Sequence, residues 1–131
     1  MTTWSDLSAS RYLSLTTFRR NGMPVATPVW LAPDGDDLVV ITGADSGKAK
    51  RLRNNPAVLL APCDSRGRLK GSQIDGQALL EDESGTERIR SLIESRYGWQ
   101  YRAISLLERV RRQQGTQVGI RISSPPVDAQ S

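Results

Sequence analysis

Two short aliphatic runs, at 38–42 and 57–61, constrain the fold of this chain most strongly. Both runs are bounded by turn residues, and their length is typical of strands rather than helices. Between them, Ser46 stands where a helix N-cap is expected, and Asn55-Pro56 is a sequence that ends helices. The sequence therefore predicts a strand, a short helix and a second strand, in that order.

The predicted short helix carries four cations, Lys48, Lys50, Arg51 and Arg53. The start of a helix exposes backbone N–H groups and the positive end of the helix dipole, so it attracts anions. Lysine binds phosphate as a point charge, and arginine binds it as a fork. Two interpretations follow: a site for the phosphate of a cofactor, and a solvated basic helix, which is the commoner use of such a pattern.

The composition narrows the possible functions. A chain of 131 residues predicts one domain with its own core, and a net charge of +4 favours an anionic partner. The absence of histidine excludes Ser-His-Asp catalysis and histidine-ligated metals. The single cysteine, Cys63, excludes an internal disulfide, and we expect it to be a buried apolar residue. We also expect a cytoplasmic protein, because neither a membrane-spanning run nor a signal-peptide pattern is present.

Alternating residues predict a hairpin near the start of the chain. The runs 12–18 and 24–32 flank Asn21-Gly22, which is the strongest short signal for a tight hairpin turn. Pro28 has no N–H group, so its strand is expected at a sheet edge or at a bulge. Alternation divides that strand into two faces: Val25, Thr27, Val29 and Leu31 on one, and Ala26, Pro28 and Trp30 on the other.

The second half of the chain adds two strands and two helices. A turn at 64–67 leads into a strand at 68–80, and a last strand is predicted at 116–122. Between these strands we expect one helix capped by Ser84 or Thr86 and a second helix at about 100–113. Six strands at short spacing predict an α+β fold, mainly β, built on an antiparallel barrel.

The order of several motifs is similar to that of a known superfamily. Two stretches carry the similarity: Thr17-x-Arg19-x-x-Gly22-x-Pro24-x-x-x-Pro28-Val29-Trp30 and Ser46-x-Lys48-x-x-x-Leu52-x-x-Asn55-Pro56. They resemble the FMN-binding split β-barrel superfamily, which includes pyridoxamine 5′-phosphate oxidases. The stretch 60–64, the pair Gly76-x-Ala78 and the run Arg96-Tyr97-Gly98 resemble its actinobacterial branch, the flavin/deazaflavin oxidoreductases of the B type.

The resemblance covers about residues 10 to 124 and implies a dimeric, six-stranded split β-barrel. The sequence itself predicts an arm or short helix at 1–10 and a polar tail at 125–131, on either side of the barrel domain at 11–124. The resemblance also implies a homodimer with two cofactor sites at its interface. The expected cofactor is the deazaflavin coenzyme F420, with FMN as the alternative on the same scaffold.

The same resemblance assigns the site residues. Lys48 and Arg51, helped by Ser46, would bind the cofactor phosphate. Lys50 and Arg53 would meet the acidic tail of F420 or solvent. The residues that would line the deazaflavin ring are Thr27, Pro28, Val29, Trp30, Thr42 and Gly43.

The implied activity is hydride transfer between F420 and a small organic acceptor. The cofactor carries out this chemistry, so no protein nucleophile is required. Two alternatives stay open: an FMN-dependent oxidoreductase and a non-catalytic cofactor-binding module. A nucleic-acid binder is disfavoured, because the sequence does not place aromatic residues among the cations of a basic sheet face.

Overall fold

The computed structural model describes residues 1–98 and 116–125. The helix predicted at 100–113 and residues 126–131 of the predicted tail lie outside this range. The described elements, in chain order, are α1 (Trp4–Ala9), β1 (Tyr12–Phe18), β2 (Pro24–Trp30), β3 (Ala32–Asp34), β4 (Asp37–Gly43), α2 (Gly47–Asn54), β5 (Ala57–Cys63), β6 (Ile74–Leu80), α3 (Glu83–Tyr97) and β7 (Gln117–Ser123).

The strands form one curled antiparallel sheet in the order β2-β1-β5-β6-β7-β4-β3. The two edge strands, β2 and β3, are consecutive along the chain, and only Leu31 lies between them. The sheet must therefore curl until its two edges meet at Leu31. The result is a half-barrel of seven described strands, which confirms the predicted α+β split-barrel fold.

The predicted strand at 24–32 is divided at Leu31, so the expectation of six strands is wrong for the described residues. Residues beyond Leu31 leave β1 and pair with β4 instead, where Ala32 stands opposite Val39. The backbone groups of Leu31 are bound by side chains of α3 rather than by a neighbouring strand. Side chains of α3 thus bind the backbone at Leu31, where β2 ends and before β3 begins.

The strand predicted at 68–80 is also shorter than expected. Regular pairing of β6 begins at Ile74, and before it Leu69 forms only an isolated bridge with Cys63. The segment between them binds the start of the chain: the Thr2 N–H donates to Ser72 Oγ at 3.0 Å. A Cβ at Gly71 would lie 2.7 Å from Thr2 Oγ1, so glycine permits this close approach.

Side chains of α3 close the seam between the two sheet edges. The Tyr97 hydroxyl accepts a hydrogen bond from the Leu31 N–H at 3.2 Å. It lies 2.7 Å and 2.8 Å from the carbonyl oxygens of Leu31 and Arg11, one of which accepts its proton. Arg96 donates to the carbonyls of Leu31, Ser8 and Ser10 at 2.8 to 3.0 Å. We call Leu31, Arg96 and Tyr97 the seam cluster.

Helix α3 is capped by Asp82, and the prediction of Ser84 or Thr86 is wrong. Asp82 Oδ1 accepts a hydrogen bond from the Gly85 N–H at 2.8 Å. Thr86 is buried and instead accepts a hydrogen bond from the Gly119 N–H at 2.9 Å, which attaches the helix to β7. A Cβ at Gly119 would lie 2.6 Å from Ile89 Cδ1, so this glycine lets the helix pack closely on the sheet.

The core lies on both faces of the curled sheet. The concave face holds the larger cluster, which α1 and α2 complete with Leu7 and Leu52. The convex face is covered by α3, whose Ile89 and Ile93 pack on Val39. The fully buried side chains of the larger cluster are Leu7, Leu13, Leu15, Leu31, Leu38, Val40, Leu60, Ala78, Ile120 and Ile122.

An ion-pair network ties the β3–β4 turn to β7 and α3. Arg88 binds Asp34 through two hydrogen bonds of 2.8 and 3.1 Å. Arg121 contacts Asp34 at 2.9 Å, Asp37 at 3.2 Å and Glu81 at 3.3 Å. The hydrogen bonds from Arg88 and Arg121 lower the pKa of Asp34 to about 2, from the ordinary value of 3.8 for an aspartate.

This pKa shift predicts a loss of stability in acid. The Asp34 contribution is present above the unfolded-state pKa of 3.8 and is lost as the pH falls toward 2. We expect Asp34→Asn to reduce the free energy of unfolding by about 1 kcal/mol more at pH 6 than at pH 2, since solvent screens the exposed Arg88. Urea unfolding at the two pH values measures this difference. The exposed neighbour Asp36 serves as control, and an equal pH dependence in Asp36→Asn would contradict the assignment.

Candidate functional site

The start of α2 is built by two hydroxyl groups. Ser46 is the N-cap, as predicted, and its Oγ accepts a hydrogen bond from the Ala49 N–H at 3.2 Å. Thr42, near the end of β4, donates to the same Oγ at 3.3 Å. The amides of Gly47 and Lys48 precede the first intrahelical hydrogen bond, from the Lys50 N–H to the Ser46 carbonyl. This turn is therefore suited to bind an anion.

The four cations of α2 differ in solvent exposure because of the way the helix packs on the sheet. Ala49 and Leu52 are buried, and Leu52 belongs to the larger core cluster. With these two residues facing the sheet, Lys48 and Arg51 are half-buried, whereas Lys50 and Arg53 are exposed. Lys48 and Arg51, which the resemblance assigns to the cofactor phosphate, are thus the less exposed pair.

The Arg51 side chain folds back over the start of its own helix. Its Nε donates a 2.6 Å hydrogen bond to Oγ1 of Thr17, a fully buried residue of β1. Its Nη1 lies 2.7 Å from the place that a Cβ would take at Gly47. Neither Thr17 nor Gly47 was assigned a role from the sequence. For Thr17 the reason is that no local pattern shows a contact across 34 positions.

The Arg51 guanidinium has no counter-ion among the described residues. Among residues 1–98 and 116–125, no carboxylate lies within ion-pair distance of its guanidinium. Burial lowers the pKa of Arg51, and the charge of Arg19 lowers it further. Half-burying this charge beside another arginine has a free-energy cost that a bound anion would offset.

The residues predicted on β2 form a second group, at the sheet edge. Pro28 is exposed and faces Ser14 in a register without a bulge, so of the two predicted positions the edge is the correct one. Val29 packs against the larger core, and Thr27 Oγ1 is 3.5 Å from the Leu15 carbonyl oxygen. The predicted alternation is confirmed, since Val25, Thr27 and Val29 are half-buried while Ala26 and Pro28 are exposed.

Trp30 ends β2 and is held against α3. Its indole stacks on the Tyr97 ring, with centroids 4.5 Å apart and planes 6° apart. The Tyr12 ring on the neighbouring strand β1 lies tilted beside the indole, with ring centroids 6.5 Å apart. One face of the indole is thus covered by the protein.

The last two residues assigned to the ring lie at the end of β4. The hydroxyl of Thr42 lies beside Ser46, and Gly43 ends the strand, next to the turn that begins α2.

The comparison with models of protein families shows which family the chain belongs to. Residues 5–123 match the model of a family described as pyridoxamine 5′-phosphate oxidase. The chain belongs to this family. Its curled antiparallel sheet with helices on both faces is the fold that the resemblance implied.

Solved structures of similar fold carry several different names. A conserved hypothetical protein from Mycobacterium tuberculosis is 25% identical, with a TM-score of 0.65, 95% of this chain covered and 81% of that one. A protein named F420 reductase is 20% identical, with a TM-score of 0.61 and coverages of 95% and 94%. An FAD-binding protein from Mesorhizobium loti is 19% identical, with a TM-score of 0.59 and coverages of 90% and 82%. None of the curated proteins matches the sequence.

The described residues offer little support for catalysis by a cysteine thiol or by a bound metal ion. Cys63 is buried, as expected, and burial raises the pKa of its thiol, which disfavours the reactive thiolate. Residues 1–98 and 116–125 contain no cluster of acidic or cysteine side chains arranged to bind a metal ion. In the same range, no helix combines the length and the apolar character needed to cross a membrane.

Proposed function

We propose that this chain is an oxidoreductase that binds a flavin-type cofactor by its phosphate at the start of α2. The observation that supports this most is the half-buried Arg51 guanidinium, which lies over the helix start and pairs with no carboxylate of the described residues. The donors there are a guanidinium, the hydroxyl-capped helix start and the half-buried Lys48, which together suit a phosphate.

The chain would hold the cofactor with two sets of residues. Ser46, Lys48 and Arg51 would bind the phosphate, and the exposed Lys50 would meet an acidic tail. The residues proposed to line the ring are Thr27, Pro28, Val29, Trp30, Thr42 and Gly43. When bound, a deazaflavin or flavin supplies two-electron hydride chemistry, and the protein supplies binding, orientation and exclusion of water.

Coenzyme F420 is the first candidate cofactor. The motifs of the actinobacterial branch and the structural similarity to a protein named F420 reductase support it. The exposed cations Lys50 and Arg53 also lie on the same helix as Lys48 and Arg51 and match a tail that carries several carboxylates. The proposed reaction is hydride transfer between F420 and a small organic acceptor, in a cytoplasmic homodimer with cofactor sites at its interface.

FMN is the alternative cofactor on the same scaffold. The family description and the similarity to an FAD-binding protein support it, and the same phosphate turn would serve both cofactors. A non-catalytic cofactor-binding module would use the same residues without turnover. Reduction of a panel of electron-poor acceptors by the loaded protein separates this module from an enzyme.

Titration of the purified protein with F420 and with FMN tests the proposed function. We expect a Kd of about 1 µM or lower for F420 and weaker binding of FMN, followed by cofactor absorbance and tryptophan fluorescence. Size-exclusion chromatography of the same sample tests the dimer. Preferred binding of FMN would move the assignment to the flavin enzyme. Binding of neither cofactor would contradict the proposal.

A further inference from the structure

We infer that Thr17 and Gly47 are positioning residues that hold the Arg51 guanidinium over the start of α2, where it receives a phosphate. This inference rests on the proposed function and deepens it. It assigns roles to one residue on β1 and one at the first position of α2. The two act on Arg51 from different sides, so each can be tested separately.

Thr17 fixes one edge of the guanidinium. Its hydroxyl accepts the 2.6 Å hydrogen bond from Nε of Arg51, and the residue is fully buried in β1. With Nε occupied, the two terminal Nη groups are left to bind a ligand. An arginine presents two parallel N–H donors from this end, and such a pair matches two oxygens of a phosphate. Thr17 therefore sets which edge of the fork faces the ligand.

Gly47 provides the space in which the guanidinium lies. A Cβ at this position would be 2.7 Å from Arg51 Nη1 and 3.4 Å from Cζ and Nη2. The φ angle of Gly47 lies outside the left-handed region, so the backbone itself does not require glycine. Alanine is the better helix former, and a helix on its own would favour it here. The close approach of Arg51 is what explains the glycine.

The surroundings of Arg51 support a role in binding rather than a purely structural one. A structural arginine that is half-buried is commonly paired with a carboxylate, and here the described residues offer none. Arg19 follows Thr17 by two positions and lies close enough to Arg51 for its positive charge to lower the pKa of that residue. Thr17 thus holds the Arg51 guanidinium close to the charge of Arg19, and a bound anion would offset the repulsion between the two cations.

The test compares cofactors with and without a phosphate. Affinities are measured for FMN against riboflavin, and for F420 against its deazariboflavin core without phosphate. We expect Thr17→Val to weaken binding of the phosphate-bearing member of each pair about tenfold and to change the other member less than twofold. Thr17→Ser keeps the hydroxyl and should restore the affinity of the parent. A purely structural role would change both members of a pair equally.

Gly47→Ala gives an independent test with an opposite effect on stability. The new methyl group displaces only the end of a flexible side chain, so we expect Tm to stay unchanged or to rise by about 2 to 4 °C. We expect binding of FMN or F420 to weaken about three- to tenfold while riboflavin binding is retained. Lower phosphate affinity in a protein that is not destabilised cannot result from unfolding.

Two results would overturn the inference, and they differ from failure of the proposed function. If the parent binds FMN or F420 and both Thr17→Val and Gly47→Ala bind them equally well, the positioning role is wrong and the cofactor proposal stands. If the parent has no preference for FMN over riboflavin, or for F420 over its deazariboflavin core, the phosphate site itself is wrong. Both proposals then fail together.

Discussion

An Arg51→Ala variant is expected to bind FMN and F420 about 100-fold more weakly than the parent. Hydrogen bonds to a charged partner contribute about 1.5–3 kcal/mol each, and the two Nη groups of Arg51 are placed to make such bonds. The variant should remain folded, because removal of a half-buried guanidinium that has no described carboxylate partner relieves a cost of burial. Isothermal titration calorimetry and thermal unfolding measure the two quantities.

The control for this prediction removes the same charge elsewhere. Arg66 lies exposed in the turn that follows β5, and Arg66→Ala should change the cofactor affinity by less than about twofold. Lys48→Ala should fall between the two, with a loss of about tenfold, since a lysine offers a point charge rather than a fork. Parent-like binding by Arg51→Ala would contradict the phosphate assignment. An equal loss in Arg66→Ala would indicate attraction by net charge alone.

The elements around the phosphate site were predictable because their signals are local. Asn21-Gly22 produced the β1–β2 hairpin, in which Gly22 adopts a φ of 88°. Ser46 caps the helix that it was predicted to cap, and Asn55 ends it. Each signal acts through the backbone of residues within four positions, so the sequence contains all that is needed to read it.

The seam between β2 and β3 was not predictable for the opposite reason. The run 24–32 has the alternation of one strand, and nothing within it marks Leu31 as a division. The division depends on Tyr97 and Arg96, which are 66 and 65 positions away. The contact of Thr17 with Arg51 spans 34 positions and was missed for the same reason. Tertiary contacts here override or complete the local pattern.

Competition between polar residues explains the error at the start of α3. Asp82, Ser84 and Thr86 all have side chains that can cap a helix, and local propensity does not separate them well. In the structure Thr86 is buried and binds the Gly119 N–H of β7, so its hydroxyl is already used. Asp82 then accepts the Gly85 N–H. The cap was decided by packing of the helix on the sheet.

The Tyr97→Ala variant is expected to lose about 4 kcal/mol of its free energy of unfolding, the largest loss that we predict for one substitution. Replacement of a buried aromatic residue by alanine costs about 3–5 kcal/mol through lost burial and a cavity. Tyr97 is buried and stacks on Trp30, and its hydroxyl also binds the backbone of Leu31. Urea unfolding, followed by circular dichroism, measures the loss. A loss below about 1 kcal/mol would contradict the importance of the seam cluster.

Tyr97→Phe separates the hydroxyl from the ring. This variant keeps the stack on Trp30 but leaves the Leu31 N–H without its partner, so we expect a loss of about 1–3 kcal/mol. Because the two sheet edges meet at Leu31, the weakened contact should also speed amide hydrogen exchange at Leu31 more than in the centre of β5. If Phe is neutral in stability and exchange, then Arg96 and the packed rings close the seam without the hydroxyl. If both change as expected, one side chain of α3 holds the two edges of the half-barrel together.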